Sequence, residues 1–376
     1  MLNFLLEKNN VKLRNNGKIK FVPNCSNGDY ENYQYKGFAD LFSFISPISF
    51  LNINDVPNET QQKFFYLITP LGNSNFLDNF IERISNEYKT LIQKHPNVFL
   101  LIWFPRETNN CNNNVFKNKL FYKLKENDIP FRKVILITGE LENKKDNIPI
   151  IQKNIIIFDF VAYHNLWYTG NIISKNDIRD NYFLHLIRKP KKFRINLLRK
   201  LLEYDNINNI YTLSGSDDCN LPVPLELKRS YHDYNVDIGC FEPYHIPLDL
   251  FNKCYIQIVH ESFQNSIFLT EKTFKPILAK QMFFTNGCYN QSKNLKKIGY
   301  ETFDDILDYY YDIIKDHELR QNYLLENLKK LLKKDKTTMH NLWLQNQEKI
   351  EHNYNHIQKR SKPENMYNRI VNVLYN

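Results

Sequence analysis

Two short segments of this chain carry residue types suited to holding an anion. The first runs Val259-His260-Glu261-Ser262 and resumes after a loop as Phe268-Leu269-Thr270-Glu271-Lys272-Thr273-Phe274-Lys275-Pro276. An apolar strand ends at His260, and Thr270 has the side chain to cap a helix whose first turn holds Glu271 and Lys272. Such a helix start offers free backbone N–H groups and a partial positive charge, which together suit a phosphate. Glu271 has the reach to accept ribose hydroxyls and Lys272 to meet a phosphate, although an ordinary capped helix explains the same letters. His260 either orients a ligand or caps the strand end. The second segment, Arg188-Lys189-Pro190-Lys191-Lys192-Phe193-Arg194, is a basic loop opening a helix. Guanidinium forks such as those of Arg188 and Arg194 suit oxyanions because they bind bidentately at fixed charge, and a solvated basic face is the plainer account. Two carboxylates, Glu107 and Glu140, each follow an apolar strand, where α/β proteins build their sites. No Asp-x-Asp occurs; Asp217-Asp218 and Asp304-Asp305 lack the alternate spacing that sets two carboxylates on one metal, so no metal site is expected.

The elements that must position these residues alternate in type. Apolar runs at residues 64–69, 98–104, 133–138 and 154–160 read as buried strands, with helical patterns at residues 75–94 and 115–125 between them. A polar stretch at residues 168–180 breaks the pattern, which then restarts. Strands are expected at 182–187, 210–213, 255–259 and 282–285, and helices at 193–204 and from about Thr270. Residues 303–334 and the last forty or so read as amphipathic helix. Strands alternating with helices imply parallel sheets of the α/β class, and the restart implies two Rossmann-like domains, residues 1–178 and 179–376.

Composition bounds the remaining possibilities. The chain has 376 residues, 42% of them hydrophobic, and at that length two cores are the better expectation than one. No apolar run approaches the roughly 20 residues of a membrane span. The opening Met1-Leu2-Asn3-Phe4-Leu5-Leu6-Glu7-Lys8 is too soon charged for a secretory signal. Six cysteines without a CxxC or a Cys/His cluster fit neither a disulfide framework nor a zinc site, so a reducing, cytoplasmic setting is expected, the host cytoplasm if the chain is viral. Fifty Lys+Arg against 41 Asp+Glu leave a formal charge of +9. That balance suits a polyanionic partner, and equally a Lys-rich coding bias, because the lysines form no long block. His164 and Trp167 near the domain break, and the run Lys329, Lys330, Lys333, Lys334 and Lys336, have packing and solvated-face explanations beside any binding role.

Residues Cys254 to Gly287 (CYIQIVHESFQNSIFLTEKTFKPILAKQMFFTNG) resemble the donor-binding signature of the α1,3-fucosyltransferase family. They are similar as well to phage and large-virus glycosyltransferases that carry a Thr-Glu-Lys-Thr-Phe/Trp-Lys-Pro variant. Glu261, Phe268, Thr270, Glu271, Lys272 and Gly287 match in order and spacing. Ser262 stands where the family has Asn, and Phe268 where it usually has Tyr. Arg194 falls where that family places a diphosphate-binding Arg opening a helix, with Arg188 just upstream. The resemblance implies a metal-independent glycosyltransferase of the GT-B type, two Rossmann-like domains facing across a cleft with the C-terminal helices crossing back. It needs no cofactor beyond the donor substrate, a GDP- or UDP-sugar. An inverting transfer requires a general base near the acceptor hydroxyl. Glu107 is the first candidate and Glu140 the second. A glycan, a protein or a hydroxymethylated DNA base are all open as acceptor, and the oligomeric state is open too. The alternative from another class is a non-catalytic nucleic-acid-binding protein on a degenerate transferase fold.

Overall fold

A computed structural model describes residues 2–5, 11–13, 19–21, 48–51, 53–59, 61–68, 81, 84–104, 113–138, 151–154, 177–188, 190–205, 207–213, 233, 246–262, 264 and 267–375. The chain is an α/β protein with parallel sheets, compatible with a Rossmann-like architecture, and forms two compact units. One comprises Met1–Ile157 with Lys362–Asn376, the other Phe158–Ser361.

In the first unit the described strands are β1 (Leu2–Leu5), β2 (Val11–Leu13), β3 (Ile19–Phe21), β4 (Ile48–Leu51), β5 (Phe64–Ile68), β6 (Val98–Phe104), β7 (Val134–Thr138) and β8 (Ile151–Asn154). Six of them form a sheet in the order β4-β1-β5-β6-β7-β8, every neighbouring pair parallel, and β2 pairs with β3 as an antiparallel ribbon. Alternation along the strands sorts the side chains by face. Phe64, Tyr66, Val98, Leu100, Ile102, Val134 and Leu136 point to one side. There they pack with Tyr88 and Ile92 of α1 (Asn86–Lys94) and Leu120 and Leu124 of α2 (Asn113–Glu126). Phe65, of opposite parity, meets Tyr375 edge-on at 5.8 Å, so the last helix (Pro363–Tyr375) comes against this unit. Lys63 holds its end by donating to the Leu374 and Tyr375 carbonyls at 3.4 and 3.2 Å.

The second unit holds β9 (Asn181–Ile187), β10 (Asn209–Leu213), β11 (Cys254–His260) and β12 (Met282–Asn286) in the order β10-β9-β11-β12, all parallel. Every residue of β10, β11 and β12 is buried, as expected of strands covered on both faces. The helices are α3 (Lys192–Tyr204), α4 (Leu248–Lys253), α5 (Glu271–Leu278), α6 (Gln291–Lys297), α7 (His317–Leu332), α8 (Lys336–Gln345) and α9 (Gln347–Ser361). Ile195 and Leu198 of α3 pack on Ile187, Tyr211 and Leu213.

Three element boundaries differ from the sequence expectation. The helix expected at residues 75–94 is seen only as α1 from Asn86, with Ser85 in extended backbone at its N-cap and Ile81 and Ile84 not helical; residues 75–80 lie outside the described residues. Residues 303–316 are not helical throughout: Asp308 caps a short 3-10 turn at Tyr309–Ile313, and Asp316, accepting from Leu319 N at 2.8 Å, opens α7 only at His317. The apolar periodicity of that stretch extends through the turn, and the capping aspartates decide the boundary. The strand expected at residues 154–160 shares only Asn154 with the described strand β8, which begins earlier at Ile151; residues 155–160 lie outside the described residues. Among the described residues, no helix is long and apolar enough to cross a membrane.

Candidate functional site

The site is built from the loops that follow the four parallel strands of the second unit. Glu261 leaves the end of β11 and is buried, 1% exposed. One carboxylate oxygen accepts from Thr270 N at 3.1 Å and Thr273 Oγ1 at 2.6 Å. The other accepts from Thr270 Oγ1 at 2.7 Å and Ser262 N at 3.2 Å. Burial pushes this carboxyl above its ordinary range, while Lys272 and the threonine bonds oppose the shift. With four donors on two oxygens, Glu261 is the pin that ties the strand end to the helix start. Its place explains the motif spacing, because Thr270 and Thr273 must be the cap and the third residue beyond it to reach one carboxylate.

Thr270 is the N-cap of α5, its hydroxyl accepting from Lys272 N at 3.2 Å while donating to Glu261. Glu271 and Lys272 stand in the first turn, partly exposed and paired at 2.7 Å. Lys272 Nζ also lies 3.3 Å from Thr270 Oγ1 and 3.4 Å from Ser262 Oγ. Burial raises the Glu271 carboxyl, but Lys272 and Lys275 outweigh it and hold the group below the usual range. Burial lowers the Lys275 ammonium to about 8, against the pull of Glu271 and with the push of Lys272. The α5 start therefore presents an ionised carboxylate beside cations and a positive helix end.

Arg194 belongs to the same corner. It sits in the first turn of α3, 3% exposed, and donates from Nη2 to the Glu261 carbonyl at 2.8 Å. Lys191, just before α3, donates to the Ser262 carbonyl at 2.6 Å. A third helix start closes the group. His317 opens α7, lies edge-on to Phe193 at 5.6 Å and hydrogen-bonds to Gln264 of the β11–α5 loop. Gln321, one turn on, donates to the Phe193 carbonyl at 2.7 Å. Three helix N-termini thus meet at the carboxyl edge of one parallel sheet, the edge where such sheets hold ligands.

The sequence candidates divide accordingly. Arg194, Glu261, Thr270, Glu271 and Lys272 come together as described. Phe268 is buried at 2% exposure, so it packs rather than presenting its ring to solvent. Arg188 lies at the end of β9 with an exposed side chain. Glu107 and Glu140 lie outside the described residues. Gly287, which ends the motif, has a steric reason: a Cβ there would fall 1.7 Å from Gln291 Oε1, which accepts from Cys288 N at 3.1 Å. Sequence reasoning did not single out Thr273, Lys191, Gln264 or His317. The three-residue offset of Thr273 from the cap was a usable signal; the other three join the site through contacts across the fold.

Among the described residues, no group of three or more His, Cys, Asp or Glu side chains is arranged to hold a metal ion. Comparison with known proteins finds no family model that matches the chain and no curated protein that matches it.

Proposed function

We propose that this chain is a glycosyltransferase that moves a sugar from a nucleotide-sugar donor to a hydroxyl acceptor by a metal-independent, inverting displacement. The observation that supports it most is the junction of the α3, α5 and α7 starts around the Glu261 pin, with Lys272, Glu271 and Lys191 gathered there. A diphosphate fits that junction because helix N-termini and lysines complement its charge, and they stabilise the same charge as it grows on the leaving group. Glu271 is poised as acceptor for ribose hydroxyls if the donor displaces its pairing with Lys272. The reading carries with it the GT-B arrangement, the first unit supplying the acceptor side and a general base, Glu107 before Glu140.

The test is a thermal-shift panel with GDP, UDP, ADP and a duplex DNA. A nucleoside diphosphate at 100 times its Kd should stabilise the protein by about 2.7 kcal/mol. Stabilisation by DNA alone, with none by any nucleotide, would replace this reading with that of a nucleic-acid-binding protein.

A further inference from the structure

Beneath the site a line of buried polar side chains crosses the whole second sheet. Gln321 Nε2 on α7 donates to Asn286 Oδ1 at the end of β12, 3.3 Å away, as well as to the Phe193 carbonyl. Asn286 Nδ2 meets His260 Nδ1 at 3.1 Å, and His260 Nε2 meets His185 Nδ1 at 3.0 Å. His185 Nε2 reaches Asn209 Oδ1 at 3.1 Å, and Asn209 Nδ2 donates to the Asp205 carbonyl at 2.6 Å. All five side chains are buried, from 0% exposure at His185 to 6% at Gln321.

The amides at the two ends settle every proton between them. Asn286 presents N–H to His260 Nδ1, so that nitrogen accepts, and neutral His260 carries its proton on Nε2. That proton points at His185 Nδ1, which accepts in turn and leaves the His185 proton on Nε2, facing the Asn209 oxygen. Each ring donates once and accepts once. One added proton on His185 or His260 would set two N–H groups face to face at 3.0–3.1 Å. Burial, then the facing His185 ring and the charge of Arg194, disfavour the cation at His260.

We propose that His185 and His260 are positioning residues, whose one-way hydrogen-bond line fixes the end of β11 and so the orientation of Glu261 beneath the donor. His260 is the residue before Glu261, gripped through its ring from both sides. Glu261 in turn receives Arg194 on its carbonyl and Thr270 and Thr273 on its carboxylate. A ring rotation at His260 would be transmitted to all of these contacts. The functional part of this inference rests on the nucleotide-sugar reading; the hydrogen-bond line does not.

Selective 15N-histidine NMR on the intact chain decides the line itself, with His185→Gln and His260→Gln serving to assign the signals. Both rings should be Nε2–H tautomers and should stay unprotonated from about pH 7.5 to about pH 5.5. An Nδ1–H tautomer at either ring, or titration within that window, overturns the inference. In folded His260→Gln the amides of Ser262 and Thr270 should exchange hydrogen at least tenfold faster, while those of β6 stay unchanged. Binding of whichever of GDP or UDP stabilises the wild type should weaken about tenfold. Unchanged exchange and affinity would overturn the positioning role. If the wild type binds neither nucleotide, the donor-site reading fails, while the tautomer and exchange results still decide the hydrogen-bond line.

Discussion

Lys272 and Arg194 bring positive charge to one corner but differ as mutational probes. Lys272 is about one-fifth exposed and its salt bridge to Glu271 is short and partly solvated, so it contributes little to stability. Lys272→Ala should therefore unfold within about 1 kcal/mol of the wild type. Its transfer rate should fall by about 10²–10³, the worth of one preorganised charge on a leaving diphosphate. Transfer within threefold of the wild type would remove Lys272 from the site. Arg194 is buried, stacked near Phe193 and bonded to the Glu261 carbonyl. Arg194→Ala should lose about 2–4 kcal/mol in urea denaturation, so activity lost in that variant says little by itself about diphosphate binding. Thr273→Val is the sharper probe of the pin, since it keeps shape and deletes one donor to Glu261. A loss of about 1–3 kcal/mol is expected, the usual result when a buried acceptor is left short.

At the scale of elements, the α5 start and the β9–β11 pair carry opposite pH signatures. Lys275 holds its proton only to about pH 8 in the free protein, and an anion docking at the helix start favours its charged form. Nucleoside diphosphate binding at about pH 8 should therefore take up a fraction of a proton, read by calorimetry in two buffers of different ionisation enthalpy. Zero uptake would place the ligand elsewhere. Burial lowers His185 to about 4 and His260 well below its ordinary value, so the folded state stays neutral where the unfolded chain, with imidazoles near 6.5, binds protons. The unfolded state then binds more protons, and stability falls as pH drops from about 6.5 towards 4, being fully present above that window. Denaturation midpoints at several pH values should show this slope, and a His185→Gln/His260→Gln variant should show less of it.

For the whole molecule, the prediction concerns metal. The reading without an Asp-x-Asp leaves the diphosphate to Lys272, Arg194 and the helix starts. Transfer should accordingly persist in EDTA and gain nothing from Mg²⁺ or Mn²⁺. Complete loss on chelation, restored by Mn²⁺, would show that a metal does the work assigned here to cations of the protein. The last helix bears on the same scale: although 312 residues separate Lys63 from Tyr375, it belongs to the first unit, tied by Lys63 and Phe65. A chain ending before Lys362 should leave that face of the first sheet open and lower the unit's stability.

Much of this arrangement was legible in the amino-acid order alone, and the part that was not has a common cause. The apolar runs of β5, β6, β9, β11 and β12, the restart of the αβ pattern, and Thr270 as a cap all depend on neighbours within a few residues, which periodicity and capping chemistry report directly. The roles of Glu261, Arg194 and the two histidines depend on partners 9–75 residues away, brought adjacent only by strand order. A Glu after a strand reads the same whether it will face a ligand or saturate its oxygens on two threonines. His260 reads as a ligand-orienting or strand-capping residue and His185 as one more letter of an apolar strand, until the β9–β11 pairing brings their ring nitrogens to 3.0 Å. Desolvation and hydrogen-bond direction, which turned those letters into a pin and a one-way line, exist only once the sheet has excluded water.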